Sequence, residues 1–164
     1  MPTMNAAGLA LTEQSEGLRL SAYQDSGGVW TIGYGHTGPD VAPGMVITAA
    51  QAQALLQADL KTAENAVSDL VQVALTPNQF SALVDFVFNV GEAALAGSTL
   101  LALVNRGDFA GAADQFGKWV YAAGQELPGL VTRRTAEKAL FLAGSDPADA
   151  AGANPTGGAE EIPA

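Results

Sequence analysis

Apolar residues recur at helical spacing in three long stretches of the chain. Residues 48–51 (TAAQ) form a capping-box pattern, and the apolar positions from 52 to 67 predict a long helix after it. Residues 76–79 (TPNQ) repeat this pattern, with proline at the first helical position of a second amphipathic helix. We expect residues 127–129 (LPG) to break the chain before a third amphipathic helix, which ends at Gly144.

Shorter helices are predicted from capping residues. Asn5 can cap a helix that runs to Glu16, and Gly17 is typical of a helix C-terminus because glycine adopts positive φ angles readily. Two further short helices are expected, one from Ser98 through Leu103 and one from Asp108 through Phe116.

A β-hairpin is predicted between the helix that ends at Glu16 and the long helix that begins near residue 48. Residues 18–23 and 29–34 are rich in β-formers and flank DSGG at 25–28, a sequence suited to a tight turn. A short third strand is expected around Val46.

Alternation along the second strand divides its residues between two faces. The first face carries Thr31, Gly33 and Gly35, and the second carries Trp30, Ile32, Tyr34 and His36. A hydroxyl between two glycines is a surface against which a polymer can lie, so we expect the first face to be open. The aromatic residues of the second face are interpreted first as core and second as sugar platforms.

These elements predict a mainly helical α+β fold in one domain, residues 1–144. A small hairpin lobe (about 17–47) and a larger helical lobe (about 1–16 and 48–144) would be joined by the long helix that begins near residue 48. Residues 145–164 consist almost entirely of Ala, Gly, Pro and acidic residues, and we expect them to be disordered.

Composition excludes several classes of function. The chain has no cysteine and one histidine, so disulfides, thiolate sites and multi-histidine metal sites are unavailable. Its net charge of −10, with only seven basic residues, argues against nucleic acid as a partner. The N-terminal residues lack the pattern of a secretory signal, signal anchor or membrane span, so we expect cytoplasmic residence and no stable membrane insertion.

Two carboxylates and a hydroxyl stand out around the hairpin, in the order Glu16, Asp25, Thr31. Glycosidases use one protonated and one ionised carboxyl group, which this set can supply. Singly, each residue has an ordinary interpretation. Glu16 could pair with a cation at a helix end, Asp25 could bond its own turn, and Thr31 could be a strand residue.

The sequence around these residues resembles a known family. SEGLRLSAYQDSGGVWTIGYGHT (15–37), LTPNQFSALVDFVFNVG (75–91) and WVYAAGQELPGLVTRRTAEKALFL (119–142) are similar to segments of phage-type lysozymes, the endolysins of glycoside hydrolase family 24. The resemblance covers about residues 5 to 144. It implies a lysozyme-like fold with a cleft between the lobes, and an inverting muramidase that serves host-cell lysis.

The resemblance and the local environments together suggest catalytic roles. Glu16, at a helix C-terminus near apolar residues, is expected to stay protonated and to be the general acid. Asp25, in a polar turn, is expected to stay ionised. The resemblance implies that Asp25 and Thr31 together hold the attacking water.

Further site residues follow from the resemblance. The expected substrate contacts are Gly33, Tyr34, Phe88 and Asn89, although Phe88 is also a candidate for the core. His36 is expected to pair with Asp59, and Arg133 or Arg134 to lie near Glu16 at the start of the last helix. No metal or cofactor is expected, and we expect a monomer.

Two rival functions stay open at this point. A murein-binding or virion structural protein could keep the fold without turnover. A lytic transglycosylase would cut murein to an anhydro-muramic end rather than a reducing end. In the preferred interpretation the partner is bacterial peptidoglycan, and the enzyme reaches it after release from the cytoplasm, for example through a holin.

Overall fold

The computed structural model describes residues 1–144, so the predicted disordered tail lies outside the described residues. Within them the chain forms seven α-helices and five short strands. In chain order these are α1 (Ala6–Glu16), β1 (Arg19–Gln24), β2 (Trp30–Gly33), β3 (His36–Thr37), α2 (Ala49–Leu70), α3 (Pro77–Val90), α4 (Glu92–Ala96), α5 (Thr99–Asn105), α6 (Phe109–Gln115), β4 (Tyr121–Ala122), β5 (Gln125–Glu126) and α7 (Pro128–Leu142). A 3-10 turn, Phe116–Lys118, follows α6.

The predicted hairpin is present, but its third strand differs from the prediction. Strands β1, β2 and β3 form an antiparallel sheet in that order, with Tyr23 opposite Thr31 and Ile32 opposite His36. The expected strand around Val46 is reduced to an isolated bridge with Ser21. Strand β3 was not predicted because the alternation of β2 was extended through Gly35, where a positive φ of 86° lets the chain turn back.

The expectation of an open face at Thr31 and Gly33 is also wrong. Thr31 is 4% exposed, and Gly33 is buried against Ala52 of α2. On the other face, Ile32 is fully buried and belongs to a small apolar cluster of the hairpin lobe. Trp30 packs against this cluster, so core packing is confirmed for Trp30.

Helix α2 joins two separate apolar clusters, as predicted. Thr48 and Gln51 form the capping box, which fixes where the helix begins. Near its N-terminus, Ala52 belongs to the small cluster of the hairpin lobe, whereas Leu56 and Leu60 belong to the large cluster of the helical lobe. No helix among residues 1–144 has the length and apolar content needed to cross a membrane.

Helices α3 and α7 form the centre of the helical lobe. The Thr76 capping box and Pro77 begin α3 as predicted, and α3 packs against α1, α2 and α7. Helix α7 begins earlier than expected, because Pro128 occupies its first position rather than breaking the chain before it. Arg133 and Arg134 therefore lie in the second turn of α7.

Two small elements of the fold were not predicted from the sequence. One is the short helix α4, and the other is the hairpin of β4 and β5. Ala123 and Gly124 connect the two strands, and both have positive φ angles, 52° and 80°. This is the geometry of a type I′ turn, which Ala-Gly signals less clearly than Asn-Gly.

Candidate active site

Glu16 lies at the C-terminal end of α1, next to the hairpin lobe. Gly17 ends the helix with a φ of 77°, which confirms the predicted stop. The side chain of Glu16 is 23% exposed, so it is accessible from solvent. A Cβ atom at Gly35 would lie 3.2 Å from Glu16 Oε1, so the hairpin backbone closely approaches this carboxylate.

Arg133, rather than Arg134, is the arginine that contacts Glu16. Its Nη1 donates to Glu16 Oε2 at 2.7 Å. Its Nε and Nη2 donate to the two carboxylate oxygens of Asp85, at 2.9 and 2.8 Å. Burial disfavours the charge of Arg133, but these two carboxylates outweigh it and raise the pKa of the guanidinium.

Asp85 is a fully buried acid that the sequence analysis assigned to no site. It lies in α3, and its Oδ1 also accepts a hydrogen bond from Thr12 Oγ1 at 2.6 Å. Burial disfavours its charge, but the hydrogen bonds and the charge of Arg133 outweigh this and lower the pKa of Asp85. An acidic residue within the apolar run FSALVDFVF was the available signal, because buried acids need partners.

Glu137 is a second fully buried acid, one turn after Arg133 on α7. Within residues 1–144, neither of its oxygens accepts a hydrogen bond, although Arg134 Nη1 lies 3.1 Å from Oε2. Burial, and then the neighbouring Asp85, raise the pKa of Glu137 well above its ordinary value. A protonated Glu137 can donate a hydrogen bond to Asp85, and this is the form that the raised pKa favours.

Arg134 contacts Asn89, which is another predicted site residue. Its Nη2 donates to Oδ1 of Asn89, and its guanidinium lies over the ring of Phe86. Burial lowers the pKa of Arg134. Asn89 is exposed, and its Oδ1 is the atom that Arg134 holds. Phe88 is partly buried and packs against the large apolar cluster, in agreement with a core role.

Asp25 and Thr31 are both anchored to the backbone of Val29. Oδ1 of Asp25 accepts from Val29 N at 2.9 Å and from Gly27 N at 2.8 Å. The hydroxyl of Thr31 donates to the carbonyl of Val29 at 3.0 Å. The peptide groups of Val29 therefore fix the positions of both side chains, and the ordinary interpretation of Asp25 as a turn residue also holds.

His36 forms the contact with Asp59 that the resemblance implied. Its Nδ1 lies 2.8 Å from Asp59 Oδ2, and its Nε2 lies 2.9 Å from Asp40 Oδ2. Burial opposes the charged form, but the hydrogen bonds to the two carboxylates outweigh it and raise the pKa of His36. This group ties β3 to α2, and its hydrogen bonds do not involve Glu16.

Tyr34 is half-buried and packs against both apolar clusters. Desolvation first, and then Glu13, raise its pKa. Across residues 1–144, there is no group of three acidic or histidine side chains placed to hold a metal ion.

A carboxylate at the junction of a hairpin lobe and a helical lobe, joined by one long helix, defines a lysozyme-type hydrolase. The family model of phage lysozyme matches residues 13–137. The chain therefore belongs to the phage lysozyme family, and it is a lysozyme whose substrate is peptidoglycan.

Individual relatives are similar over nearly the whole described chain. The endolysin of Acyrthosiphon pisum secondary endosymbiont phage 1 is 46% identical over 138 residues, 82% of this chain and 94% of the relative. The crystal structure of a point mutant of the phage P22 lysozyme matches with a TM-score of 0.82 at 43% identity, covering 87% of this chain and all of that one. The muramidase domain of SpmX from Asticcacaulis excentricus matches with a TM-score of 0.81 at 42% identity. The match covers 88% of this chain and 100% of that one.

Proposed function

We propose that this lysozyme cleaves the β-1,4 bond between N-acetylmuramic acid and N-acetylglucosamine, and that Glu16 is the general acid. The observation that carries this proposal is the position of Glu16. It is a partly exposed carboxylate at a helix end, and it is held at 2.7 Å by a buried arginine beside the hairpin. General acid catalysis needs such an oriented group, which protonates the leaving oxygen as the bond breaks.

Asp25 and Thr31 are proposed to hold the attacking water. Because Oδ1 of Asp25 is occupied by two backbone N–H groups, Oδ2 is the oxygen that would take a proton from water. The hydroxyl of Thr31 donates to a carbonyl, which leaves its lone pairs to accept from the same water. Water attack opposite the leaving group inverts the anomeric centre.

Asn89 and Tyr34 are proposed substrate contacts. Since Arg134 occupies Oδ1 of Asn89, the amide of Asn89 is oriented to donate to a carbonyl such as that of an N-acetyl group. Gly33 and Phe88 are also proposed to line the substrate site, although Gly33 is buried and Phe88 is partly buried in this structure.

The test compares clearing of purified murein by the wild type, Glu16→Gln and Asp69→Asn. Asp69 is an exposed acid near the C-terminal end of α2, so its amide variant is a control for the loss of one negative charge. We expect Glu16→Gln to lose about 10²- to 10⁴-fold in rate and Asp69→Asn to stay within about twofold. Full activity in a folded Glu16→Gln would rule out the proposed acid. Murein binding without turnover in the wild type would favour the binding-protein alternative.

The products distinguish the possible chemistries. NMR of the fresh reducing end should show the α-anomer, because inversion of a β bond gives the α product. A β-anomer would indicate retention. An anhydro-muramic end would identify a lytic transglycosylase.

We further propose that the enzyme serves lysis of the host cell by a phage, after release through a holin. The similarity to phage endolysins supports the lytic role. Expression in a bacterial cytoplasm should cause lysis only when a holin is co-expressed. The monomeric state is a further proposal, which light scattering can test.

A further inference from the structure

The guanidinium of Arg133 is shared unequally between two carboxylates. Two of its nitrogens donate to Asp85 and one donates to Glu16. The side chain of Asp85 is 0% exposed, compared with 23% for Glu16. Because charge interactions are stronger in a buried environment, Asp85 contributes more than Glu16 to the position of Arg133.

The charges around Arg133 sum to zero when two of the three neighbouring carboxyl groups, those of Glu16, Asp85 and Glu137, are ionised. Arg133 and Arg134 contribute two positive charges, and ionised Glu16 and Asp85 contribute two negative ones. Neutral Glu137 keeps this balance, whereas ionised Glu137 would add an uncompensated negative charge to the core. Asp85 therefore offsets a positive charge that would otherwise act on Glu16 alone.

An arginine beside the general acid creates a conflict. It orients the carboxyl group, but its positive charge favours the carboxylate, whereas the reaction needs the protonated acid. We propose that Asp85 is a positioning residue for the general acid, because it anchors Arg133 and pairs with its charge. Arg133 then orients Glu16 while its charge is already shared with the buried Asp85. This inference rests on the proposed role of Glu16.

Other charged groups on the packed elements have partners elsewhere or lie at the surface. On α1, Glu13 bonds Gln53 and the hydroxyl of Tyr34. On α2, Glu64 accepts from the backbone N–H of Met4, and Asp59 pairs with His36. The remaining charged side chains of α2, α4, α6, α7 and the 3-10 turn are exposed or half-buried, and they are Lys61, Asp69, Glu92, Asp114, Lys118 and Lys138.

The pH dependence of murein clearing tests this inference. In Asp85→Asn the charge of Arg133 is no longer paired with Asp85 and acts on the carboxyl group of Glu16 alone. We expect the alkaline limb of the rate profile to move down by about one pH unit, and the rate at neutral pH to fall about tenfold. Thr12→Val is the matched control, because it removes a hydrogen bond to Asp85 but no charge. It should lower the melting temperature and leave the limb in place.

The double variant Asp85→Asn/Arg133→Gln separates charge from packing. Removing both charges should return the alkaline limb to within about 0.3 pH unit of the wild type. A folded Asp85→Asn with an unshifted limb would overturn the inference. If Asp85→Asn does not fold, the double variant decides, since a shift of about one unit in its limb contradicts the proposed offset.

These outcomes are separable from the proposed function. If Glu16→Gln is fully active, the proposed general acid itself is wrong. If Glu16→Gln is inactive and Asp85→Asn keeps the wild-type limb, Glu16 remains the general acid and only the role of Asp85 is rejected.

Discussion

His36 is held by two carboxylates that lie on different elements. Asp59 comes from α2 and Asp40 from the loop after β3, at 2.8 and 2.9 Å from the two ring nitrogens. The resemblance implied Asp59, but it did not imply Asp40, which is four residues away in the chain. A spacing of four residues can bring His36 and Asp40 together, but whether their side chains meet depends on the turn at Gly38.

The raised pKa of His36 makes a prediction for the pH dependence of stability. A group whose pKa is higher in the folded state stabilises the fold below its unfolded pKa of about 6.5 and loses this contribution as pH rises. Asp59→Asn should therefore lower the free energy of unfolding by about 1 kcal/mol at about pH 5.5, and by less at about pH 9. Urea denaturation at both values measures this. An equal loss at both would mean that the charge of His36 is irrelevant.

Glu137 gives a prediction of a different kind, because burial raises the pKa of this acid. Its raised pKa means that the wild type loses stability as pH rises from about 4.5 toward the folded pKa. Glu137→Gln keeps an N–H donor toward Asp85 and cannot ionise. We expect the free energy of unfolding of the variant to be at least as large as that of the wild type at about pH 8. At about pH 4.5 the difference between the two should shift in favour of the wild type.

Melting temperatures of the wild type and Glu137→Gln across this pH range provide the measurement. The exposed Glu126→Gln is the control, and its difference from the wild type should not change with pH. A Glu137→Gln variant that loses more stability at the alkaline end than at the acidic end would show that Glu137 is ionised in the fold.

At the scale of the elements, the caps were predictable and some strand ends were not. Thr48 with Gln51 and Thr76 with Gln79 form the predicted capping boxes, because each box depends on residues three apart. The strand β3 was missed because its pairing depends on a turn that the alternation pattern does not show. Pro128 was interpreted as a break because proline is compatible with both a loop and the first helical position.

The capping box of α2 should contribute measurably to stability. Thr48→Ala removes the side-chain acceptor for the N–H of Gln51, which lies 3.1 Å away. We expect a loss of about 1 kcal/mol in the free energy of unfolding, measured by urea denaturation. Thr62→Ala, at an exposed position within the same helix, is the matched control and should be neutral or slightly stabilising. Equal losses in the two variants would contradict a capping role.

At the scale of the whole molecule, the negative charge matters for the encounter with substrate. The net charge is −10, and the 13 acidic and 7 basic residues that precede residue 145 still give −6. Murein with its associated polymers is anionic, so repulsion should slow association at low salt. Added salt shortens the Debye length from about 30 Å at 0.01 M to about 8 Å at 0.15 M.

We therefore expect the clearing rate to rise about two- to threefold between 0.01 and 0.15 M salt. A chain ending at Gly144 should show a smaller rise because its net charge is −6. Initial rates of turbidity loss on the same murein preparation give the comparison. A rate that falls with added salt would mean that local positive groups govern the encounter.

The sequence by itself determined six of the seven α-helices, the first two strands of the hairpin and the elements that carry Glu16, Asp25 and Thr31, because periodicity, caps and turns depend on nearby residues. Only the tertiary structure decided which arginine meets Glu16, and that Asp85 and Glu137 lie in the same buried network. Asp85 and Arg133 are 48 residues apart in the chain, and Glu16 and Arg133 are 117 apart. Such contacts depend on how α1, α3 and α7 pack, which no local pattern encodes.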